Sequence, residues 1–197
     1  MYSLVTVRDV VRIPPREFGS PLEIAALSHL RKTSENVLDR DIGLMIAVIG
    51  IDSIGQGRLM PGDGATYHSV QYQVLVFKPV RGEVVEGNVV ELMDFGAFVR
   101  MGPLDGLCHV SQICDDFITQ DSKGNSLLGK ETGRTLSEGD QVRARITSIS
   151  FESGNRSGKL GLTMRQPFLG KIGPDASWVD EDVKAAQGET KKEKKKE

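Results

Sequence analysis

Short segments rich in β-branched and aromatic residues, separated by glycine-containing turns, occupy residues 82 to 167 and limit the folds open to this chain. This pattern indicates short strands rather than helices. Glycine supplies 22 of the 197 residues, which favours turns and argues against a helical bundle. Five strands with a polar insertion after the third are typical of an OB-type β-barrel, which we assign to residues 82–167. The predicted strands contain residues 85–89, 94–99, 106–111, 141–151 and 159–164, and the insertion, residues 117–133, is long enough to hold a hairpin.

Residues 1–80 show a different order of elements and predict a separate α+β domain. Strands are expected over residues 4–13, 41–51 and 67–80, where β-branched residues are frequent. A helix is expected to begin at Ser20 and Pro21, because serine can cap a helix, proline fits its first turn and Glu23 completes a capping box. The apolar stripe of this helix, or of a broken pair of helices, continues to Leu38.

A glycine-rich segment, residues 54–64, separates the last two of these strands. It contains four glycines and Pro61, and it is too long for a simple hairpin turn. Loops of such length are often functional, and a flexible connector without a role is the alternative.

The charge distribution limits the partners of this chain. The formal net charge is −2, and residues 1–81, 82–170 and 171–197 carry nine, nine and seven basic against eight, twelve and seven acidic side chains. Tight, salt-driven binding to duplex DNA is therefore disfavoured, while weaker binding through a local patch stays open. The longest apolar run, residues 42–51, is too short to span a membrane, so we expect a cytoplasmic protein without a membrane contact.

Residues 171–197 form a mixed-charge tail that ends in Lys-Lys-Glu-Lys-Lys-Lys-Glu and lacks an apolar face. We expect this tail to be largely disordered. Trp178 is an exception, because a single tryptophan in a polar segment more often docks onto a surface than stays in solvent. The sequence leaves both outcomes open for Trp178.

Residue types for catalysis or metal binding are sparse. Two cysteines and three histidines cannot build a closed zinc site without carboxylates, and the spacing of Cys108 and Cys114 is not that of a zinc knuckle. The sequence contains no phosphate-binding loop, nucleophile elbow or metalloprotease helix motif. We therefore expect no metal, no cofactor and no intrinsic enzymatic activity, and a hydrolase or nuclease has no motif to support it.

Strand alternation places one set of aromatic and polar side chains on the outside of the predicted barrel. Ala97 and Val99 suit the interior, so Phe98 faces outwards, and the same alternation turns the arginines of the fourth strand away from the core. Bases stack on aromatic rings and phosphates contact cations, so this face predicts binding of single-stranded nucleic acid. Packing in the core is the alternative for the aromatic residues. The candidate residues are Phe95, Phe98, Arg100, His109, Arg143 and Arg145.

Several motifs carry a resemblance to a known family. GEVVEG from residue 82, DFGAFV from residue 94 and GLCHVS from residue 106 are similar to the S1 domain, an RNA-binding OB fold. The opening Tyr-Ser-Leu, VRIPP from residue 11 and PGDG from residue 61, followed by VLVFKP from residue 74, resemble the E-prime stalk subunits of archaeal DNA-directed RNA polymerase. This resemblance covers roughly residues 1–180.

The resemblance implies a non-catalytic polymerase subunit. The N-terminal domain would be a truncated RNP-like unit, its tip loop would dock on the polymerase core near the clamp, and the small stalk subunit of the polymerase would form a heterodimer with this chain. The S1 face would bind nascent single-stranded RNA. Ser150-Phe151-Glu152 stands where S1 domains often carry an aspartate, and Lys159 or Arg156 would supply the cation that follows it. A free S1-domain RNA-binding factor of translation or RNA decay is the alternative function. The tip loop comprises Ile54, Gly55, Gln56, Gly57, Arg58, Leu59, Met60, Pro61, Gly62, Asp63 and Gly64.

Overall fold

The computed structural model describes residues 1–120, 126–151, 159–173 and 178–183. The chain divides into two compact units, one built on residues 1–79 and the other on residues 80–150 together with the chain from residue 158 onwards. Arg156 and the end of the tail lie outside the described residues.

The first unit is an antiparallel sheet with one helix, which confirms the predicted α+β class. Its sheet has the order β1-β5-β3-β2, and the short β4 pairs with β5. A short 3-10 helix, Pro15–Glu17, follows β1. The elements are β1 (Tyr2–Ile13), α1 (Leu22–Ser34), β2 (Val37–Asp39), β3 (Gly43–Ile54), β4 (Arg58–Met60) and β5 (Asp63–Phe77).

The core of this unit lies between α1 and one face of the sheet. Alternation along β5 turns Val70, Tyr72, Val74 and Val76 to the same side, where each is at most 1% exposed. The small buried residues Ala25 and Ala26, with Leu30, let α1 approach this face closely.

The predicted start of the helix is wrong in detail. The carbonyl of Pro21 accepts the first helical hydrogen bond from the amide of Ala25 at 3.1 Å, so Pro21 itself stands at the N-cap position and Leu22 begins the helix. No side chain caps this end, and the predicted capping box of Ser20 and Glu23 does not form. The helix also ends at Ser34, because Asn36 adopts a left-handed conformation with φ of 59° and the apolar residues after it form β2.

The second unit contains a closed five-stranded barrel, which confirms the predicted OB fold. The strands follow the order β13-β8-β7-β6-β12, and pairing of β12 with β13 closes the barrel. Strand β13 runs parallel to β8, and the other pairs are antiparallel. The barrel strands are β6 (Val84–Met93), β7 (Gly96–Arg100), β8 (Asp105–His109), β12 (Gln141–Ser150) and β13 (Lys159–Thr163).

The insertion between β8 and β12 contains one strand more than the hairpin that the sequence allowed. After a short 3-10 helix, Val110–Gln112, it forms a three-stranded antiparallel sheet in the order β11-β10-β9. Its strands are β9 (Ile118–Gln120), β10 (Ser126–Gly129) and β11 (Thr135–Ser137), and a further short strand, β14 (Gly170–Lys171), pairs with β12.

The described part of the tail differs from the expected disorder, because residues 178–183 are helical and Trp178 is only 3% exposed. The guanidinium carbon of Arg134 lies 5.4 Å from the centre of the indole ring. Arg134 also donates to Glu181 at 3.3 Å and to Asp182 at 3.2 Å. The burial of the indole ring and its contact with the paired Arg134 stabilise this segment in spite of its polar composition.

Within the described ranges, no helix is long and apolar enough to cross a membrane.

Candidate functional site

Three of the predicted site residues meet at one end of the barrel. Phe98 is half-buried on the outer face of β7, since Ala97 and Val99 on either side of it are 0% exposed. The rings of Phe95 and Phe98 lie edge to face, with centroids 6.2 Å apart, and Phe95 is 45% exposed. His109 pairs across the sheet with Gly96, which makes it a diagonal neighbour of Phe98. We call Phe95, Phe98 and His109 the aromatic platform.

The imidazole of His109 is held in one orientation. Its Nδ1 accepts from the backbone amide of Ser111 at 3.2 Å and lies 2.9 Å from the hydroxyl of Ser111, which can donate to it. Because Nδ1 accepts, the proton of the neutral ring is on Nε2. The exposed ring therefore presents an N–H donor beside two phenyl rings. Ser111 lies within the GLCHVS motif, but its role in orienting His109 was not predicted.

Arg100 lies two residues beyond Phe98 on the same face of β7, but its charge is shared. Its Nε and Nη2 donate to the two carboxylate oxygens of Asp105 at 2.9 and 3.2 Å. These hydrogen bonds raise the pKa of Arg100 above its usual value. The cation beside the platform is therefore partly neutralised, and Asp105 is a residue that the sequence pattern did not single out.

Arg143 lies farther from the platform than predicted. It projects from the outer face of β12 and donates to Glu86 of β6 at 2.8 and 3.0 Å. Phe98 pairs with Glu91 of the same strand, five residues farther on. At about 3.3 Å per residue, Glu86 and Glu91 are about 16 Å apart along β6, and Arg143 and Phe98 are separated by a similar distance.

Closure of the barrel brings Arg145 towards the platform from the other side. Arg145 pairs with Thr163 of β13. Strand β13 runs parallel to β8 with Leu162 opposite Cys108, so the next residues along the two strands, Thr163 and His109, lie side by side. The Nε of Arg145 is buried and has no hydrogen-bond partner within the described residues. Lys159 is exposed at the opposite end of β13, about 13 Å along the strand from Thr163. The structure thus brings the three residues of the aromatic platform together. The four predicted cations, Arg100, Arg143, Arg145 and Lys159, lie at different distances from it.

The tip of the first unit is a hairpin rather than the predicted long loop. Strand β3 extends to Ile54, β4 spans Arg58–Met60, and β4 pairs with the start of β5. The turn contains Gly62 with φ of +87°, a conformation that favours glycine. Leu59 and Met60 are 71% and 55% exposed, so the tip presents apolar side chains to the outside. We call residues 54–64 the tip hairpin.

Asp63 ties the tip hairpin to β1. Nε and Nη2 of Arg12 donate to its two oxygens, each at 2.8 Å. The hydroxyl of Tyr67 and the amide of Ala65 donate to the same carboxylate at 2.7 and 3.1 Å. These hydrogen bonds, that of Arg12 above all, hold the pKa of Asp63 well below its usual range. The glycine-rich segment is therefore a fixed element rather than a flexible connector, because the guanidinium group of Arg12 and the hydroxyl of Tyr67 both bind the carboxylate of Asp63.

His68 holds the other side of the hairpin. This side chain is 7% exposed, and its Nδ1 donates to the carbonyl of Gly55 at 3.0 Å, since a carbonyl can only accept. Its Nε2 lies 3.1 Å from the hydroxyl of Thr66. A Cβ at Gly57 would lie 2.7 Å from Cε1 of this ring, so the close approach requires glycine.

Among the described residues, the cysteines and acidic side chains do not form a metal site. Cys108 is 0% exposed, and burial raises the pKa of its thiol to about 12. Within the parts of the chain that the structure describes, no group of three or more His, Cys, Asp or Glu side chains could hold a metal ion.

Comparisons with known proteins match both units. The family "SHS2 domain found in N terminus of Rpb7p/Rpc25p/MJ0397" matches residues 8–64, and the family "S1 RNA binding domain" matches residues 78–155. The DNA-directed RNA polymerase subunit Rpo7 of Saccharolobus shibatae is 41% identical to this chain, covering 93% of it and 100% of that protein. Rpo7 of Sulfolobus acidocaldarius is 40% identical over 94% of this chain and 99% of that protein. The DNA-directed RNA polymerase II subunit RPB7 of Glycine max is 27% identical over 90% of this chain and 99% of that protein. The chain therefore belongs to the family of the archaeal RNA polymerase subunit Rpo7, with an N-terminal SHS2 domain and a C-terminal S1 domain.

Proposed function

We propose that this chain is a non-catalytic subunit of the polymerase stalk that binds nascent single-stranded RNA through its S1 domain. The observation that carries this proposal is the aromatic platform in a domain of the S1 family. Two accessible phenyl rings offer faces for stacking, and His109 adds an N–H donor. Stacking on an aromatic ring contributes about 1–3 kcal/mol per base and tolerates any base.

The charged side chains around the platform favour weak binding of RNA, with little contribution from contacts to its phosphates. Arg100 and Arg143 are each paired with a carboxylate. Paired cations release fewer counterions when RNA binds, so the salt dependence of binding is expected to be shallow. A transcript that moves during synthesis has to be bound weakly, so that it can slide past the S1 domain. The paired charges therefore support a guiding role for the S1 domain.

The tip hairpin is the surface that we propose for docking on the polymerase core. Leu59 and Met60 expose apolar area at its end, and the hydrogen bonds of Asp63 and His68 hold the hairpin in one shape. A pre-organised apolar tip loses little conformational entropy on binding, which favours a stable contact.

The first unit also presents a surface suited to a protein partner. Strand β1 lies at an edge of the sheet, and three apolar side chains on one of its faces, Tyr2, Leu4 and Val10, are 55–62% exposed. Long apolar edge strands are usually covered in native assemblies. We propose that the small stalk subunit binds this unit and forms a heterodimer with the chain.

RNA binding is tested with the full chain in complex with the small stalk subunit. We expect the double substitution Phe98→Ala and His109→Ala to weaken binding of a single-stranded oligonucleotide roughly 10-fold or more at low salt, measured by fluorescence anisotropy. Phe117→Ala is the matched control, because Phe117 is 77% exposed but lies in the insertion, outside the platform. An unchanged affinity of the double variant, with the heterodimer intact, would remove the platform from the RNA site.

Assembly is tested by purifying the chain at native abundance. We expect the large polymerase subunits to accompany it. A monodisperse single chain that binds RNA without polymerase subunits would favour the free RNA-binding factor instead.

A further inference from the structure

A second surface of the S1 unit has no role in the proposal above. It is a cavity of about 380 Å³, a volume within the range of small-ligand sites. The cavity is lined by residues 164–169 together with Cys114, Asp115, Arg134 and Asp182.

Phe168 stands at this cavity in a conformation that requires support. Its φ is 65°, which is rare for a bulky residue and costs free energy. The backbone amide of Phe168 donates to Asp182 at 3.0 Å, and this bond holds the strained conformation in place. The side chain is 46% exposed in spite of its size. A strained backbone that keeps a phenyl ring accessible points to a ligand rather than to packing.

The charges of the cavity indicate what kind of ligand fits. Arg134 forms ion pairs with Glu181 and Asp182, and Arg165 forms one with Asp115. The two guanidinium groups in the lining are therefore paired with three carboxylates, of which Asp115 and Asp182 also line the cavity. A phosphate entering the cavity would meet these carboxylates, whereas an uncharged nucleobase would not be repelled by them.

The remaining groups suit the faces and edges of a base. Bases stack on aromatic rings and on guanidinium planes, and Phe168 and Arg165 supply one of each. Gln166 lines the same cavity, and its amide can both donate and accept hydrogen bonds.

A short stretch of chain links the platform to the cavity, because the 3-10 helix Val110–Gln112 follows His109 and Cys114, two residues beyond it, lines the cavity. The carbonyl of Gln112, at the end of this helix, accepts from the amide of Met164 at 2.7 Å and from the hydroxyl of Thr163 at 3.4 Å. The segment that lines the cavity is thereby fastened beside the platform.

We propose that this cavity is an additional base site, in which Phe168 stacks on one base of the RNA strand beyond those held by Phe95, Phe98 and His109. The inference rests on the proposed RNA binding and extends it. Because the site is separate from the platform, only an RNA long enough to reach both surfaces benefits from it.

The test measures how the loss of one ring affects the binding of RNAs of different length. It uses the full chain in complex with the small stalk subunit and oligouridylates of about 4 to 12 nucleotides, within the range of site sizes of OB folds. Phe168→Asn removes the ring but keeps a residue that tolerates the left-handed conformation. We expect roughly 5- to 100-fold weaker binding of the longest oligonucleotides and unchanged binding of the shortest. Phe168→Tyr, which retains a ring, should restore wild-type affinity, and Phe117→Ala should have no effect at any length.

The outcomes separate this inference from the proposed function. If Phe98→Ala weakens binding at every length while Phe168→Asn changes none, the additional base site is wrong and the platform stands. If Phe168→Asn reduces binding equally at all lengths, the cavity is not a separate site and the inference is also overturned. If neither substitution changes binding, both proposals fail.

Discussion

Gly57→Ala is the substitution that most directly tests how the tip hairpin is held. A methyl group at this position would lie 2.7 Å from Cε1 and 2.8 Å from Nε2 of His68. Both distances are shorter than real side chains allow, so one of the two partners must move. The ring is 7% exposed and is held between the carbonyl of Gly55 and the hydroxyl of Thr66, at 3.0 and 3.1 Å. We expect the ring to move and at least one of these hydrogen bonds to break.

The magnitude follows from the lost hydrogen bond. A buried polar group left without its partner costs about 1–3 kcal/mol. This cost lowers the free energy of local opening of the hairpin, not only that of global unfolding. Since about 1.36 kcal/mol corresponds to a factor of ten, amide exchange in the hairpin should accelerate roughly 5- to 150-fold.

Hydrogen exchange measured by mass spectrometry on peptides covering the tip hairpin and the start of β5 reports this opening. The amide of Gly55 is a suitable probe, because it donates to the carbonyl of Ser69 at 2.7 Å. Gly50→Ala is the matched control, since a methyl group there has no atom within 4 Å and Gly50 lies in the same sheet. Binding of the polymerase core in a pull-down should weaken for Gly57→Ala and not for Gly50→Ala.

A double-substitution cycle with His68→Ala shows whether the effect passes through the ring. Removing the ring leaves space for the methyl group, so Gly57→Ala should cost little in a His68→Ala background. We expect a coupling of about 0.5–3 kcal/mol between the two positions. Additive effects, or wild-type exchange in Gly57→Ala, would refute the idea that His68 and Gly57 together fix the hairpin.

Three further measurements test other features of the structure. The pKa of Asp63 is depressed, so its contribution to the hairpin is complete above the unfolded-state value of about 4 and is lost as the pH falls towards the folded-state value. The protection factors of the hairpin amides, which are corrected for the intrinsic exchange rate, should fall below about pH 4, and Asp63→Asn should abolish that fall. Trp178 is the single tryptophan, and a Cβ at Gly170 would meet its ring, so Gly170→Ala should shift its fluorescence emission to the red. Gly173→Ala, also at positive φ but with no atom within 4 Å, should leave the emission unchanged. Burial raises the pKa of Cys108 to about 12, so alkylation at pH 8, followed by peptide mass spectrometry, should modify it only in denaturant.

The sequence predicted the barrel and the outward position of the platform because both follow from local regularities. Alternation with a period of two decides which side of a strand Phe98 faces, and the glycine-bounded segments indicate where strands end. The start of the helix was predicted less well, because serine and proline both fit near a helix terminus and only the hydrogen bond from Ala25 to Pro21 identifies the cap. The insertion was interpreted as a polar segment with room for a hairpin, but its three short strands carry too few apolar residues to indicate a three-stranded sheet.

The amino-acid sequence thus determined the two kinds of unit, the family and the exposed aromatic residues, since these depend on patterns among near neighbours. The tertiary structure alone decided which charges are paired and which segments are fixed. Arg12 binds Asp63 across 51 positions and Arg143 binds Glu86 across 57, and only the register of paired strands brings such residues together. The same holds for Trp178, whose polar surroundings in the sequence conceal a contact with Arg134 in the fold. Hydrophobic periodicity acts locally, whereas ion pairing and close packing depend on partners that the linear order does not reveal.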